Sequence, residues 1–243
     1  GWGWGSHRII NAAAVDHLPP EMAFFQDHRE YFRIHSVDPD YNSDPNPGGY
    51  HYIDIDYYDE FFTGTLPHEW QAIVDLYGQN TVEDVGVVPW VITWWMESME
   101  DLMVAGDWSA VWQKAAELGH YVADSHQALH LTVNYNGYDT GNNGIHSRYE
   151  SDMMNDHLDE IVIPDSISGY WENPLDSVFS YIEDIYPLVD LVLDADDLAS
   201  DEDSNYGNTY LDLMWQELGD TTTWSVQRAV LDLASIWYTS WVN

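Results

Sequence analysis

The chain contains no cysteine, which excludes disulfides and any metal site built on thiolates. That absence alone does not place the protein in a reducing compartment. Basic residues are nearly as scarce: Arg8, Arg29, Arg33, Lys114, Arg148 and Arg228 are six against 43 acidic side chains, a formal net charge of −37. A chain so charged repels polyanions at long range, which excludes a broad basic nucleic-acid groove. It equally excludes a polybasic membrane anchor. No apolar run reaches the roughly 18 residues that cross a bilayer. No signal peptide is visible, and a mature chain would read the same way.

What is present is apolar. Hydrophobic residues make up 45% and aromatic residues 15% of 243 residues, with 13 Trp, too much for a disordered acidic chain. The length allows a sizeable core in one large domain or two small ones. The picture is a folded globule in a carboxylate-rich coat. Self-repulsion in such a coat is screened by salt, so adaptation to a saline environment is expected ahead of a cationic partner.

Apolar periodicity predicts helices throughout. The first covers 7–18, and Pro19-Pro20 opens a second that runs to about Ile34. Residues 38–50, rich in Asp, Asn, Gly and Pro, read as loop, with a weakly alternating piece from His51 to Asp56. Pro67 starts a helix to about Tyr77, and Thr81-Val-Glu-Asp resembles a capping box for a long helix ending near Gly106. Asp107 is a good N-cap for a helix to about Leu131. Beyond a Gly/Asn loop at 134–144, helices are expected at 145–162, 174–193, 206–218 and 221–241. The acidic run 194–203 lacks the Gly and closing Glu of an EF-hand and reads as a solvated connector. With few strand signals, no repeat and no linker, the expectation is one all-α, multi-helix domain over residues 1–243.

The most informative stretch runs from Gly119 to His130. On a helix His120 and Asp124 stand at i and i+4 on one face, with His130 near the helix end. His146 and Glu150 repeat the i, i+4 pair. Imidazole and carboxylate at this spacing form a ligand set that zinc accepts where thiolates are missing. A single such pair is more often a surface ion pair or a cap. Two pairs with a further histidine between them point to metal. His126, His68 and His157 read as surface, exposed or solvated groups, and His17, His28 and His35 are left unassigned.

The pattern His120-x3-Asp124-x5-His130 followed by His146-x3-Glu150 resembles the zinc-dependent phospholipase C and S1/P1 nuclease family. The start, Trp2-Gly-Trp-Gly-Ser-His7, is similar to that family's mature N-terminus. The loop bearing His35-Ser-Val-Asp38 and then His51-Tyr-Ile-Asp-Ile-Asp56 also fits. The likeness spans roughly residues 2–150 in order, and beyond 150 only helical character agrees.

The resemblance implies the family's multi-helix fold and three zinc ions. One would be held by Asp38, His51, His120 and Asp124, and a second by His130, His146 and Glu150. A third would take His7, the far oxygen of Asp124, and an N-terminal amine and carbonyl. Here Gly1 precedes Trp2, so Gly1 or Trp2 backbone atoms are expected near His7 and Asp124, and creating that end implies export, to a secreted or periplasmic location. Open positions for water or phosphate oxygen would make the sites catalytic, with hydroxide attacking a phosphate ester and Asp38 assisting as proton acceptor.

Substrate is less legible. The resemblance allows a phospholipid, cleaved to diacylglycerol and a phosphorylated head group, or single-stranded nucleic acid. The net charge favours a phospholipid or small phosphodiester, with no stable nucleic-acid complex and a monomeric chain. Tyr50, Tyr52, Tyr57, Tyr58, Phe61 and Phe62 flank the Asp38–His51 loop and could cage a quaternary ammonium, stack a base, or be ordinary core. A non-catalytic member, whose metals only hold helices together, is the reading of a different class. Retention of every expected side-chain ligand favours the enzyme.

Overall fold

Apolar stripes spaced at helical period have to be buried against one another, and in the computed structural model of the chain, which describes residues 2–243, they are. No strand occurs among the described residues. The early chain forms α1 (Trp4–Val15), a 3-10 stretch (Pro20–His28) and α2 (Arg29–His35). Pro19-Pro20 thus opens a tighter helix than expected before the α-helix resumes. The loop that follows is punctuated by 3-10 turns at Asp38–Asp40, Gly48–His51 and Ile55–Tyr57. The piece from His51 to Asp56 therefore does not form a strand, although Ile53 and Ile55 donate backbone bonds to His130 O (3.0 Å) and Leu131 O (3.2 Å).

Short helices α3 (Asp59–Thr63), α4 (Trp70–Tyr77) and α5 (Gln79–Val85) lead to α6 (Val88–Ala105). Thr81 lies inside α5 rather than capping the long helix, because Gly86 at φ +101° breaks the chain between α5 and α6. Asp107 does cap α7 (Trp108–Ser125), accepting from Ala110 N at 3.2 Å. The segment from 145 begins as α8 (Ile145–Ser147), widens into a π-helical stretch (Arg148–Met153) and closes as α9 (Met154–His157).

Three further helices complete the fold: α10 (Pro174–Ile185), α11 (Leu188–Glu202) and the 35-residue α12 (Asn208–Val242). Two expected helices are fused in α12, because Gly219 is a site of close packing rather than a break: its β-carbon position lies 3.0 Å from the Trp215 ring. The acidic run is also helical. Asp196, expected in solvent, is buried and pairs with Arg148 Nη2 at 2.9 Å, while Asn142 donates to it at 2.8 Å.

Helices α1, α2, α6, α7 and α12 pack around one continuous apolar cluster. Phe25, Phe32 and Trp237 meet there at ring distances of 4.8–5.7 Å, and Trp237 Nε1 donates to Ala115 O at 3.1 Å. Burying three such rings favours the fold by several kcal/mol, on the order of 2–3 each. It also holds α7, with its histidine and aspartate, between α1 and α12.

Candidate metal centre

Three groups of histidine and carboxylate converge on the inner end of α7: His7 with His120 and Asp124, Asp40 with His51 and His120, and His130 with His146 and Glu150. His7 comes from α1, His51 from the 3-10 turn at 48–51, and His130 from the turn Ala128–His130 that follows α7. His146 and Glu150 come from the α-to-π segment. Local distortion of this kind is common where a helix must aim side chains at a site.

Asp124, fully buried, joins two groups. Its Oδ1 lies 3.1 Å from His7 Nε2, and its Oδ2 lies 2.8 Å from His51 Nδ1 and 3.2 Å from His120 Nε2. His120 Nε2 is also 3.3 Å from Asp40 Oδ1. In the third group His130 Nε2 is 3.2 Å from His146 Nε2, which is 2.9 Å from Glu150 Oε2. Ligand atoms placed about 2.0–2.1 Å from a tetrahedral zinc sit about 3.3 Å from one another, and the separations within the three groups, from 2.9 Å for His146–Glu150 to 3.9 Å for His51–Asp40, bracket that value.

The outer nitrogens fix which ring atoms face inward. His120 Nδ1 donates to Ser36 O (2.8 Å), His130 Nδ1 to His51 O (2.5 Å) and His146 Nδ1 to Tyr135 O (3.1 Å). With the proton committed to Nδ1, each of these rings when neutral turns a bare Nε2 lone pair toward its neighbours, whereas without metal His120 carries a second proton between Asp124 and Asp40. Lone pairs so arranged repel unless a cation lies among them. Among the described residues the buried ring of His7 has Asp124 Oδ1, 3.1 Å from its Nε2, as a polar neighbour on that side, and its Nδ1 meets no hydrogen-bond partner. The donor set fits a divalent metal.

Electrostatics agree with this arrangement. Burial and neighbouring His120 lower His7 to about 4, so its ring is neutral and able to ligate. Burial likewise lowers His130. Burial opposes ionisation of Asp124, yet the charge of His120 holds it well below the usual carboxylate range. Asp40 behaves the same way: burial works against its charge, and His120 more than offsets it. Without metal, Asp124 and Asp40 outweigh burial and raise His120 to about 10. A metal bound at His120 Nε2 would take the place of that proton.

One expected residue is misplaced by the sequence reading. Asp38 belongs to none of the three groups, and its Oδ2 lies 2.7 Å from His35 Nδ1 and 2.9 Å from Gln113 Nε2. Asp40 stands in its place. The 3-10 turn Asp38–Asp40 rotates successive residues by about 120°, so Asp38 and Asp40 cannot face the same side. Trp2 is buried with its ring against Tyr149, 5.5 Å between centroids. Gly1 lies outside the described residues.

The remaining histidines are structural. His126, expected as a surface or supporting group, is buried between Val122 O (2.8 Å) and Asp232 (2.9 Å) with its ring on Tyr181. His68 stacks on Phe179 and His157 on Trp215, so both are less exposed than expected. His17 reaches Ser166 O and His28 stacks on Trp112.

Two cavities open onto the centre. One, of about 360 Å³, is lined by Tyr52, Asp54, Leu129, His130, Tyr135 and His146. The other, of about 440 Å³, runs between Asp40 and Glu150 and is walled by Trp4 and Asn155. Of the aromatic residues flanking the loop, Tyr52 thus reaches a cavity, whereas Tyr58 is core.

An all-α scaffold presenting clustered imidazoles and carboxylates beside open cavities is the arrangement of a protein that can hold divalent metal. The sequence matches the family described as zinc dependent phospholipase C over residues 6–205, and the chain belongs to that family. No match was found among curated proteins.

Proposed function

We propose that this chain is a phospholipase C-type phosphodiesterase that releases a phosphorylated head group from a phospholipid, using three zinc ions. The observation that carries the reading is the convergence of inward-facing ring nitrogens of His120, His130 and His146 on carboxylates at ligand–ligand spacing. His120 has one inward nitrogen and would serve one ion, which we assign to the group with Asp40 and His51. Asp124 would be shared between that ion and one beside His7, since its Oδ2 lies near His51 and its Oδ1 near His7. His130, His146 and Glu150 would hold the remaining ion.

Zinc bound at such residues lowers the pKa of a coordinated water and neutralises charge on phosphoryl oxygens. The rest falls to the chain. Asp40, ionised and at the edge of the larger cavity, is placed to accept the proton of the attacking water in the role expected of Asp38. The carbonyls of Ser36, His51 and Tyr135 keep the three histidines in the ligating tautomer. Gln127 Nε2, 3.2 Å from Glu150 Oε2, steadies that carboxylate.

The test combines elemental analysis with hydrolysis of a soluble phosphocholine ester and of single-stranded DNA. Two to three equivalents of zinc and chelator-sensitive ester cleavage are expected. Faster cleavage of DNA than of any phospholipid would overturn the substrate, and full activity in chelator would overturn the metal role.

A further inference from the structure

Large side chains left in water usually occur singly, and clusters of them mark interaction sites. Two such clusters bracket the centre. Trp4 packs edge-on against Tyr41 at 5.6 Å, and Tyr135 packs edge-on against Tyr138 at 6.2 Å. All four rings are between 44 and 65% exposed, although each had an aromatic partner with which to bury itself. Val133, 48% exposed on the same loop as Tyr135 and Tyr138, extends the second cluster.

Their position is what gives them meaning. Trp4 walls the cavity that contains Asp40 and Glu150, and Tyr135 walls the cavity that contains His130 and His146. The Tyr135 ring also stands 5.8 Å from that of His146. A path from Tyr138 through Tyr135, His146 and Glu150 to Trp4 and Tyr41 therefore crosses the centre, with an exposed aromatic pair at each end.

Tyr and Trp favour the water–lipid boundary, where one part of the ring is apolar and the other wet. The charge of the chain selects among lipid surfaces. At −37 the protein is repelled by an anionic bilayer, and Arg8, 6.0 Å from the Trp4 ring centroid, is a single cation at this rim. A zwitterionic surface carries no such penalty.

We propose that the pairs Trp4–Tyr41 and Tyr135–Tyr138, with Val133, form a docking rim that seats the mouths of both cavities on an electrically neutral phospholipid surface. The inference rests on the phospholipase reading for its purpose, but not for its measurement. The rim would let a lipid's phosphate reach the centre while its acyl chains remain in the bilayer, so the cavities need not extract the whole molecule.

The experiment uses zinc-loaded protein and two readouts. Co-sedimentation is measured with vesicles of pure phosphatidylcholine and with vesicles in which a third of the lipid is phosphatidylglycerol. Hydrolysis is measured on a short-chain phosphocholine ester kept below its micelle concentration. Pure phosphatidylcholine vesicles should bind the wild-type chain better than the anionic ones. The double variant Val133→Ser/Tyr138→Ser should bind them roughly tenfold more weakly, having lost two interfacial anchors, while cleaving the soluble ester at the wild-type rate. Equal vesicle binding by wild type and variant, or tighter binding of the wild type to anionic vesicles, overturns the rim. If the double variant does not fold, the single variant Tyr138→Ser gives the same comparison, and a wild-type chain that fails to co-sediment with pure phosphatidylcholine vesicles overturns the rim. Failure to cleave the soluble ester would instead count against the phospholipase reading and leave the vesicle result standing.

Discussion

Asn11 occupies the space that a side chain at position 119 would need: a β-carbon on Gly119 would sit 2.0 Å from Asn11 Oδ1. Asn11 cannot step aside cheaply, because its amide donates to Phe32 O (3.1 Å) and Ala116 O (3.0 Å) inside the core. Asn11 lies one turn beyond His7 in α1, and Gly119 immediately precedes His120 in α7. The close approach of the two helices therefore sets the 3.9 Å stacking of the His7 and His120 rings.

Gly119→Ala is accordingly expected to wedge α1 away from α7. Overpacking of this kind costs about 1–3 kcal/mol, and it should also lower the metal content of the protein. Urea denaturation and elemental analysis on the same preparation check both effects. Wild-type stability with wild-type metal content would show that the helices have slack there.

Asp38 and Asp40 share a 3-10 turn yet reach different partners, Asp38 Gln113 and Asp40 His120. Asp40→Asn should reduce hydrolysis by roughly 10²–10⁴-fold, as expected for loss of a proton acceptor, and should weaken zinc retention as well. Asp38→Asn removes an acceptor for His35 and Gln113 and should stay within about tenfold of wild type, because it disturbs only the support of the turn. The reverse order, measured as kcat/KM on a soluble ester, would restore Asp38 to the site.

That pair also shows where sequence reasoning stops. The i, i+4 pairs His120/Asp124 and His146/Glu150 are legible because helical geometry alone puts them together, and the Asp107 cap because its partner is three residues away. Choosing between Asp38 and Asp40 requires knowing that Gln113 lies opposite one and His120 opposite the other, 75 and 80 residues along the chain. Asp196 was misread for the same reason: its partner Arg148 is 48 residues distant, and nothing local separates it from its solvated neighbours. Gly219 looked like a break because a glycine that ends a helix and one that admits a Trp215 ring are written alike. Local periodicity and capping are visible in a sequence, whereas the partner across the core is not.

Salt dependence follows from the charge. With 43 carboxylates against six cations, repulsion among exposed groups opposes compactness and fades as the screening length falls from about 10 Å at 0.1 M to about 3 Å at 1 M. The melting temperature should therefore climb by about 10 °C or more between 0.1 and 2 M NaCl. Sodium sulfate would stabilise almost any protein, so the comparison belongs in chloride. A flat series in NaCl would show that the coat serves something other than salt tolerance.

Asp54 stands on the wall of the smaller of the two cavities. Burial, aided by the charge of Asp56, pushes its pKa up to about 7. Asp56 itself is well served, accepting from Thr132 Oγ1 (2.6 Å) and Val133 N (2.9 Å). The unfolded chain would lose the Asp54 proton near pH 3.9. Between about pH 4 and pH 7 the folded state thus holds a proton that the unfolded state has released, and stability falls as pH rises across that window. Above pH 7 the full cost of the partly buried charge is present. Asp54→Asn carries no charge and escapes it, so in chelator-treated protein the variant should be more stable than wild type at pH 8. The gain should be on the order of 1–2 kcal/mol once screening by solvent is allowed for. Below pH 4 the two should coincide, because Asp54 is then protonated in both states. Denaturant melts at pH 3.5, 5.5 and 8 give the comparison. A gap of the same size at every pH would mean that the substitution acts through packing, and that Asp54 carries no displaced proton.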